Sequence, residues 1–240
     1  MGKLTILSTG SVGNAYILEC DGEQLLIELG ISWKEILKGL NYDISNVVAC
    51  LASHIHQDHL NKGTLQNAIK GGLSVYSCQD AQTANQQVKV LENRKKTALG
   101  GFLVQPIPLE HSCENIGFLI EHKSIGKLVF CTDCTSIPYK FKNVNQFVVE
   151  ANNDSEYMLE NALNDEFRAS SSENHMEIND TIDFLKNNIS SQTQNIILIH
   201  LSTGNIHPID ARKKVQNELS FSNVYVAKKN EIYTLETCEF

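Results

Sequence analysis

The chain has 240 residues, 42% of them hydrophobic and 20% charged, with a formal net charge of −8. That length and balance predict one soluble globular domain over residues 1–240 with a substantial core, and no stretch approaches the roughly 20 apolar residues of a membrane span. The negative charge argues against broad, nonspecific binding to duplex DNA, which depends on neutralising phosphates.

Met1–Leu7 enters a strand pattern directly, without signal-peptide organisation. Ile6 stands where a myristoylation motif needs Ser or Thr. The 7 cysteines are odd in number and scattered, the usage of reduced thiols, so a cytoplasmic protein is expected. Strands are predicted over Leu4–Thr9, Tyr16–Cys20 and Gln24–Leu29, then a helix over Trp33–Leu40. Val47–Ala52 is a short apolar run with β-branched residues and reads as a buried strand.

Where that run stops comes Ser53-His54-Ile55-His56-Gln57-Asp58-His59. With only 8 histidines in the whole chain, so dense a group of imidazoles and carboxylate is a metal-ligand set rather than a chance polar turn. His54 and His56, two apart, can project toward one ion from an extended loop. Asp58 and His59 can turn toward a second ion beside it. Imidazole nitrogen and carboxylate oxygen suit zinc, manganese or iron(II) and match calcium poorly. The C-terminal end of a strand is also where α/β folds build their sites.

Downstream, Thr64–Lys70 reads as a helix stopped by Gly71-Gly72. Further strands are expected at Leu73–Tyr76, Phe102–Pro106, Gly117–Glu121, Leu128–Thr132, Gln146–Glu150, Asn195–His200 and Asn223–Ala227, with Glu231–Glu236 closing the chain. Helices are expected at Glu156–Ala162, Glu177–Asn187 and Pro208–Leu219, the last with proline suited to a first turn. The polar stretch Asn164–Asn174 predicts a loop near the site. Cys131 and Cys134 have C-x-x-C spacing but neither a second pair nor a redox context, so they read as an incidental frame around Asp133. Basic residues gather at Arg94-Lys95-Lys96, Lys140 with Lys142, Arg212-Lys213-Lys214 and Lys228-Lys229, each either a solvated face or a phosphate contact.

The run His54-Ile55-His56-Gln57-Asp58-His59 resembles the HxHxDH signature of the metallo-β-lactamase superfamily. The superfamily's later ligands follow in order: His111 after Phe102–Leu109, Asp133 at the end of Lys127–Thr132, and His200 at the end of Asn195–Ile199. The resemblance implies an α/β fold, a four-layer αββα sandwich with the metals at one edge. It assigns His54, His56 and His111 to a first ion and Asp58, His59 and His200 to a second, with Asp133 between them. Two ions about 3.5–4 Å apart can share one hydroxide and clamp an oxyanion, so no separate protein base is required. Asp58 would also orient that hydroxide, a catalytic role.

Over nearly its whole length the chain also resembles the YycJ/WalJ-type branch. Leu7–Leu18 resembles its N-terminal Gly/Ser turn and Leu25–Ser32 the following strand and turn. Glu150-Ala151-Asn152-Asn153-Asp154 resembles its EANHD segment, and His200-Leu201-Ser202 with Asn205 its HLS-x-x-N ending. Two residues depart from the pattern. Glu28 replaces an Asp that supports the ligand loop without touching metal, and Asn153 replaces a His. Arg168 and His175, seven apart, match an Arg and a His of the branch. With Asn152 and Asn205 they are expected to contact substrate. His175 is expected to bind phosphate or protonate a leaving oxygen, the alternative being a helix-end histidine with no catalytic part.

Enzymes of that branch are associated with 5′ exonuclease activity on DNA. The resemblance therefore implies a hydrolase that uses two divalent ions, zinc or manganese, to cleave phosphodiester bonds in nucleic acid, DNA ahead of RNA. The alternatives are a small-molecule phosphodiesterase, a thioester or lactone hydrolase, and a metal-stabilised binding or regulatory protein; the intact ligand set speaks against the last. No β-CASP-sized insertion separates Asp133 from His200, unlike ribonuclease J. His56 stands where oxygen-reducing diiron relatives carry Glu, which favours hydrolysis.

Overall fold

The computed structural model describes residues 1–161, 174–202, 204–221 and 223–237. The chain first builds one sheet from β1 (Gly2–Ser8), β2 (Ala15–Cys20), β3 (Glu23–Ile27), β4 (Val47–Leu51), β5 (Val75–Ser77) and β6 (Lys89–Val90). It then builds a second from β7 (Thr97–Leu99), β8 (Phe102–Leu109), β9 (Asn115–His122), β10 (Gly126–Cys131), β11 (Gln146–Glu150), β12 (Asn195–Ile199) and β13 (Val224–Val226). The last strand, β14 (Ile232–Leu235), returns to the first sheet and pairs antiparallel with β1. The orders are β14-β1-β2-β3-β4-β5-β6 and β13-β12-β11-β10-β9-β8-β7.

Helices α1 (Trp33–Gly39) and α2 (Lys62–Lys70) pack on the first sheet, burying Ile36, Leu65 and Ala68 in the same core as its strands. After β11 comes the short α3 (Ser155–Glu160). Helices α4 (Ile178–Lys186) and α5 (Pro208–Leu219) cover the second sheet, where Ile182, Leu185, Ala211 and Val215 meet Phe147, Val149, Ile196 and Leu198. The facing sides of the sheets share a core that includes Leu4, Ile6, Phe118, Phe130 and Val148. The fold is the expected αββα sandwich. Strands β11 and β12 are buried at every position, as parallel strands between two layers must be.

Register places the site. Parallel pairings align Ile27 with Leu51, Cys131 with Val149, and Glu150 with Ile199. The C-terminal ends of β3, β4, β10, β11 and β12 therefore come out on the same edge of their sheets. Strand β8 runs antiparallel to β9, and β9 antiparallel to β10, so β8 also ends there. Bonds that tie the sheets together at that edge include His200 N donating to Thr9 Oγ1 at 2.9 Å and Ile116 N donating to the Ser53 carbonyl at 3.2 Å.

Several element boundaries differ from expectation. The strand expected to stop at Pro106 continues to Leu109. Strand β7 pairs only with Phe102–Val104, so beyond that point β8 is bonded on one side alone, and an open edge tolerates proline. The strand expected at Leu73–Tyr76 is shifted to β5. Strands β6 and β7 and a 3-10 turn at Gln79–Thr83 went unpredicted, being too short to carry a period. Helix α2 starts at Lys62, earlier than expected, because the Asn61 side chain accepts from Thr64 N, a good N-cap. The strands expected to run through Leu29 and His200 end earlier, at Ile27 and Ile199, because Glu28 and His200 turn to φ +65° and +54°. Ala162, Arg168 and all of the predicted 164–174 loop except Asn174 lie outside the described residues.

Candidate active site

Three residues of the site lie just past strand ends with left-handed backbone: Glu28 next to β3 (φ +65°), Asp133 two residues beyond β10 (φ +51°) and His200 next to β12 (φ +54°). Such conformations are uncommon away from glycine and are held only where the surroundings over-determine them. Each turns the chain sharply as it leaves its sheet, so the side chain meets the others at the edge.

The loop after β4 is held from beneath. Asn14 N donates to the Asp58 carbonyl at 2.8 Å, Leu29 N to the His59 carbonyl at 2.8 Å, and Asn61 N to the Leu29 carbonyl at 3.0 Å. Gly30 lies so close that a Cβ there would fall 1.7 Å from the Asp58 carbonyl oxygen. Only glycine fits that approach.

The seven predicted metal ligands converge. His54 Nε2 and His111 Nε2 lie 3.0 and 3.2 Å from His56 Nδ1. His59 Nε2 lies 3.4 Å from Asp58 Oδ2 and 3.2 Å from Asp133 Oδ2; His200 Nε2 lies 3.7 Å from Asp58 Oδ2 and 3.3 Å from Asp133 Oδ1. Asp133 Oδ2 is also 3.8 Å from His54 Nε2, joining the two groups. Donors bound tetrahedrally at about 2.0–2.1 Å stand about 3.3 Å apart, so these spacings fit ions held within each group. His200 Nε2 is a buried nitrogen without a hydrogen-bond partner, as a metal-facing nitrogen would be. The cluster has the donors and spacing that could hold divalent metal.

Electrostatics agree with that chemistry at Asp133, His54 and His111. At His59, by contrast, burial lowers the pKa, but the Asp133 and Glu28 carboxylates outweigh it and raise it well above an ordinary imidazole. Burial would raise the Asp133 carboxyl, but the His59 and His200 imidazoles outweigh it and hold the group well below the usual carboxylate range. Burial, with His59 alongside, keeps His54 well below an ordinary imidazole, and burial also lowers His111. Ionised carboxylate and neutral imidazole are the forms that bind metal.

The far nitrogens of the imidazoles are supported in turn. Ser53 Oγ lies 2.8 Å from His54 Nδ1. Glu28 is fully buried; its Oε2 accepts from Ser53 N at 3.2 Å and its Oε1 lies 3.5 Å from His59 Nδ1. Glu28 thus bonds the loop backbone and places its other oxygen beside the His59 ring. Loss of such outer support typically costs roughly 10–100-fold in metal affinity or activity. A Glu28→Gln variant is expected to keep its metal with affinity reduced by that order, read by competition with a fluorescent chelator; parent-like affinity would remove Glu28 from this role.

His175 faces the cluster. Its ring stacks on His200 with centroids 5.2 Å apart, and its Nδ1 lies 3.2 Å from Glu150 Oε2. Burial lowers the His175 pKa, but the Glu150 hydrogen bond and charge outweigh it and raise it overall. Asn152 donates to the His200 carbonyl at 2.8 Å, and Asn205 donates to Asn152 Oδ1 at 3.4 Å. Both asparagines line the same cleft, of about 500 Å³, with His56, Asp58, His175 and Ser202. Arg168 lies outside the described residues.

Four participants escaped sequence reasoning. Glu150 is fully buried and accepts from Cys134 N, Met176 N and His175. Asn14 lies 3.1 Å from His59 Nε2, Thr9 holds the His200 backbone, and Cys113 Sγ lies 3.9 Å from His56 Nε2. The N-terminal Gly/Ser turn and Glu150 had been noted only as stretches of family likeness. Cys113, two residues past His111, was the available signal for a softer neighbour.

A family model described as Anti-Pycsar protein Apyc1 matches residues 5–64. The chain is 25% identical over 251 residues to the exodeoxyribonuclease WalJ of Streptococcus pneumoniae serotype 2 (strain D39), covering 96% of this chain and 93% of that protein. It is 26% identical over 247 residues to the exodeoxyribonuclease YycJ of Bacillus anthracis, covering 95% and 93%. Among solved structures, the metallo-β-lactamase fold protein YhfI from Bacillus subtilis superposes with a TM-score of 0.73 at 17% identity, over 97% of this chain and 98% of that one.

Proposed function

We propose that the chain, which has a metallo-β-lactamase fold and is similar to the YycJ/WalJ proteins, is a 5′ exodeoxyribonuclease-like hydrolase working with two ions of zinc or manganese. The observation that carries this reading is the pair of donor groups sharing Asp133 at ligand spacing. The names of the two relatives similar along 95–96% of the chain point to DNA as the polymer. A reducing, cytoplasmic setting fits the six free cysteines among the described residues.

His54, His56 and His111 would hold one ion and Asp58, His59 and His200 the other, with Asp133 reaching both. When bound, such ions neutralise charge on a phosphodiester oxyanion and bring the pKa of water toward neutrality. The chain's own contribution is placement. Glu28 beside His59 Nδ1, Ser53 at His54 Nδ1 and Asn152 at His200 Nδ1 orient the rings, and the half-buried Asp58 faces the cleft. His175, held in its charged form to higher pH by Glu150, is positioned to give a proton to the leaving oxygen. Asn205 and Ser202 line the wall where the phosphate and sugar would lie.

Two measurements test this. Elemental analysis after mild metal reconstitution is expected to saturate at two ions per chain; saturation at one or none counts against the dinuclear centre. Metal-loaded protein is then offered 5′-phosphorylated DNA, the same sequence in RNA, a small aryl phosphodiester and a thioester. The expected order of turnover is DNA, then RNA, with no thioester cleavage. Hydrolysis of the thioester alone would place the chemistry in acyl transfer and end the phosphodiester reading.

A further inference from the structure

A second concave surface lies on the open edge of β8. It has a volume of about 710 Å³. Gln105, Pro106, Ile107 and Pro108 of β8 form its floor with Leu119, and the segment Tyr139–Lys142 forms a wall. Arg94, Lys127, Lys140 and Lys142 line it, and among the described residues no carboxylate does. In a chain of net charge −8 this is a local reversal of sign. It also joins two basic clusters that lie far apart in sequence.

The cations of this groove are uncommitted. Elsewhere Lys95 pairs with Glu92, Lys96 with Glu121, Lys214 with Asp154 and Lys229 with Glu35. Arg94, Lys127, Lys140 and Lys142 have no carboxylate within ion-pair distance among the described residues; Lys127 Nζ donates to the Lys142 carbonyl at 3.2 Å. Beside them stands an aromatic pair. Phe141 is fixed edge-on against Phe184 with centroids 6.2 Å apart, and Tyr139, 38% exposed, lies 6.4 Å from Phe141. Uncommitted cations interleaved with a presented aromatic ring match a single-stranded nucleic acid, whose phosphates and base faces need both. The prolines at 106 and 108 leave the β8 edge without those N–H donors, so an added peptide strand is disfavoured.

The chain segments that build the groove also run on to the candidate metal site, although the two cavities share no lining residue among those described. Pro108 is three residues from His111, about 10 Å of extended chain. The opposite wall descends from Asp133 through Thr135, whose N donates to the Glu110 carbonyl at 3.2 Å. We propose that this groove is the track for single-stranded DNA beyond the nucleotide being cleaved, an inference that rests on the nuclease reading above. It makes the enzyme prefer strands long enough to reach past the metal centre.

Fluorescence anisotropy of a labelled 12-nucleotide single strand, in chelator so that nothing is cut, tests the track. The variant Arg94→Ala/Lys140→Ala/Lys142→Ala should bind at least about tenfold more weakly. Its slope of log affinity against log salt should flatten by about 2, at roughly 0.7 per lost phosphate contact. Tyr139→Ala should lose about fivefold or more, the smaller end of one stacked base. With metal, the parent should have a lower KM for the 12-mer than for a trinucleotide, and the triple variant should lose that difference.

Parent-like affinity and salt slope in the triple variant would overturn the track. Tighter binding of RNA than DNA through the same residues would overturn the choice of DNA. A small aryl phosphodiester separates the two readings. If the parent cleaves it and binds DNA in the groove without cutting the strand, the nuclease reading fails and the groove stands as a binding site. If the parent cuts DNA of every length equally and the triple variant matches it, the nuclease reading stands and the track fails.

Discussion

Asp58→Ala is expected to abolish phosphodiester hydrolysis while leaving the fold intact. Asp58 is the half-buried member of the second donor group, with Oδ2 3.4 Å from His59 Nε2 and 3.7 Å from His200 Nε2. Burial raises its carboxyl, but those two imidazoles outweigh the effect and hold it far below the usual range. It therefore presents a full negative charge to the cleft. Alanine removes that charge from a group that shares its other members with the rest of the site. Loss of one preorganised electrostatic partner typically costs about 10²–10³ in kcat, and a ligand should cost no less. The loop should keep its shape, because backbone bonds from Asn14, Leu29 and Asn61 hold it. Turnover in metal-saturated protein and circular dichroism read the two halves of this expectation. Near-normal turnover would remove Asp58 from the mechanism.

Glu150→Ala should instead strike stability. Glu150 ends β11 with no exposed surface. One oxygen accepts from Cys134 N at 2.6 Å and Met176 N at 3.3 Å, and the other from His175 Nδ1 at 3.2 Å. Removing the carboxylate strands two buried backbone donors and the partner of an imidazole. Each unsatisfied donor costs about 1–3 kcal/mol, so a loss of roughly 3–5 kcal/mol is expected, a large part of the 5–15 kcal/mol typical of a domain. For a chain of this size that lowers Tm by about 6–20 °C. The same change frees the turn that carries Asp133, so metal affinity should fall with it. A melt within about 2 °C of the parent would show that the network is not what holds this edge.

The contrast between these two residues explains what was legible in the sequence. Asp58 belongs to a run whose chemistry is local: His54, His56, Asp58 and His59 sit within six positions at a strand end, and no tertiary knowledge is needed to see them as ligands. His111, Asp133 and His200 were legible only as an ordered set, because a single polar residue after a strand says little by itself. Glu150, Asn14 and Thr9 act through hydrogen bonds that reach across 16 to 191 positions, and nothing local marks such a partner. Glu28 is legible as a loop support only through the family resemblance, and its carboxylate accepts from Ser53 N. Its left-handed backbone could not be read, since Glu is no usual residue for φ > 0. Pro106 and Pro108 misled for a physical reason: proline is excluded from central strands, but the open side of β8 has no partner to receive the missing N–H.

The central claim, metal-dependent removal of nucleotides from a DNA 5′ end, is tested most directly by product analysis on a 5′-phosphorylated strand labelled at its 3′ end. With manganese-loaded protein, the labelled strand should shorten stepwise as mononucleotides accumulate. Excess chelator or the Asp58→Ala variant should leave it at full length. A full-length strand in loaded parent protein, under conditions where a small cyclic or aryl phosphodiester is hydrolysed, would contradict the nuclease reading and leave a small-molecule phosphodiesterase in its place.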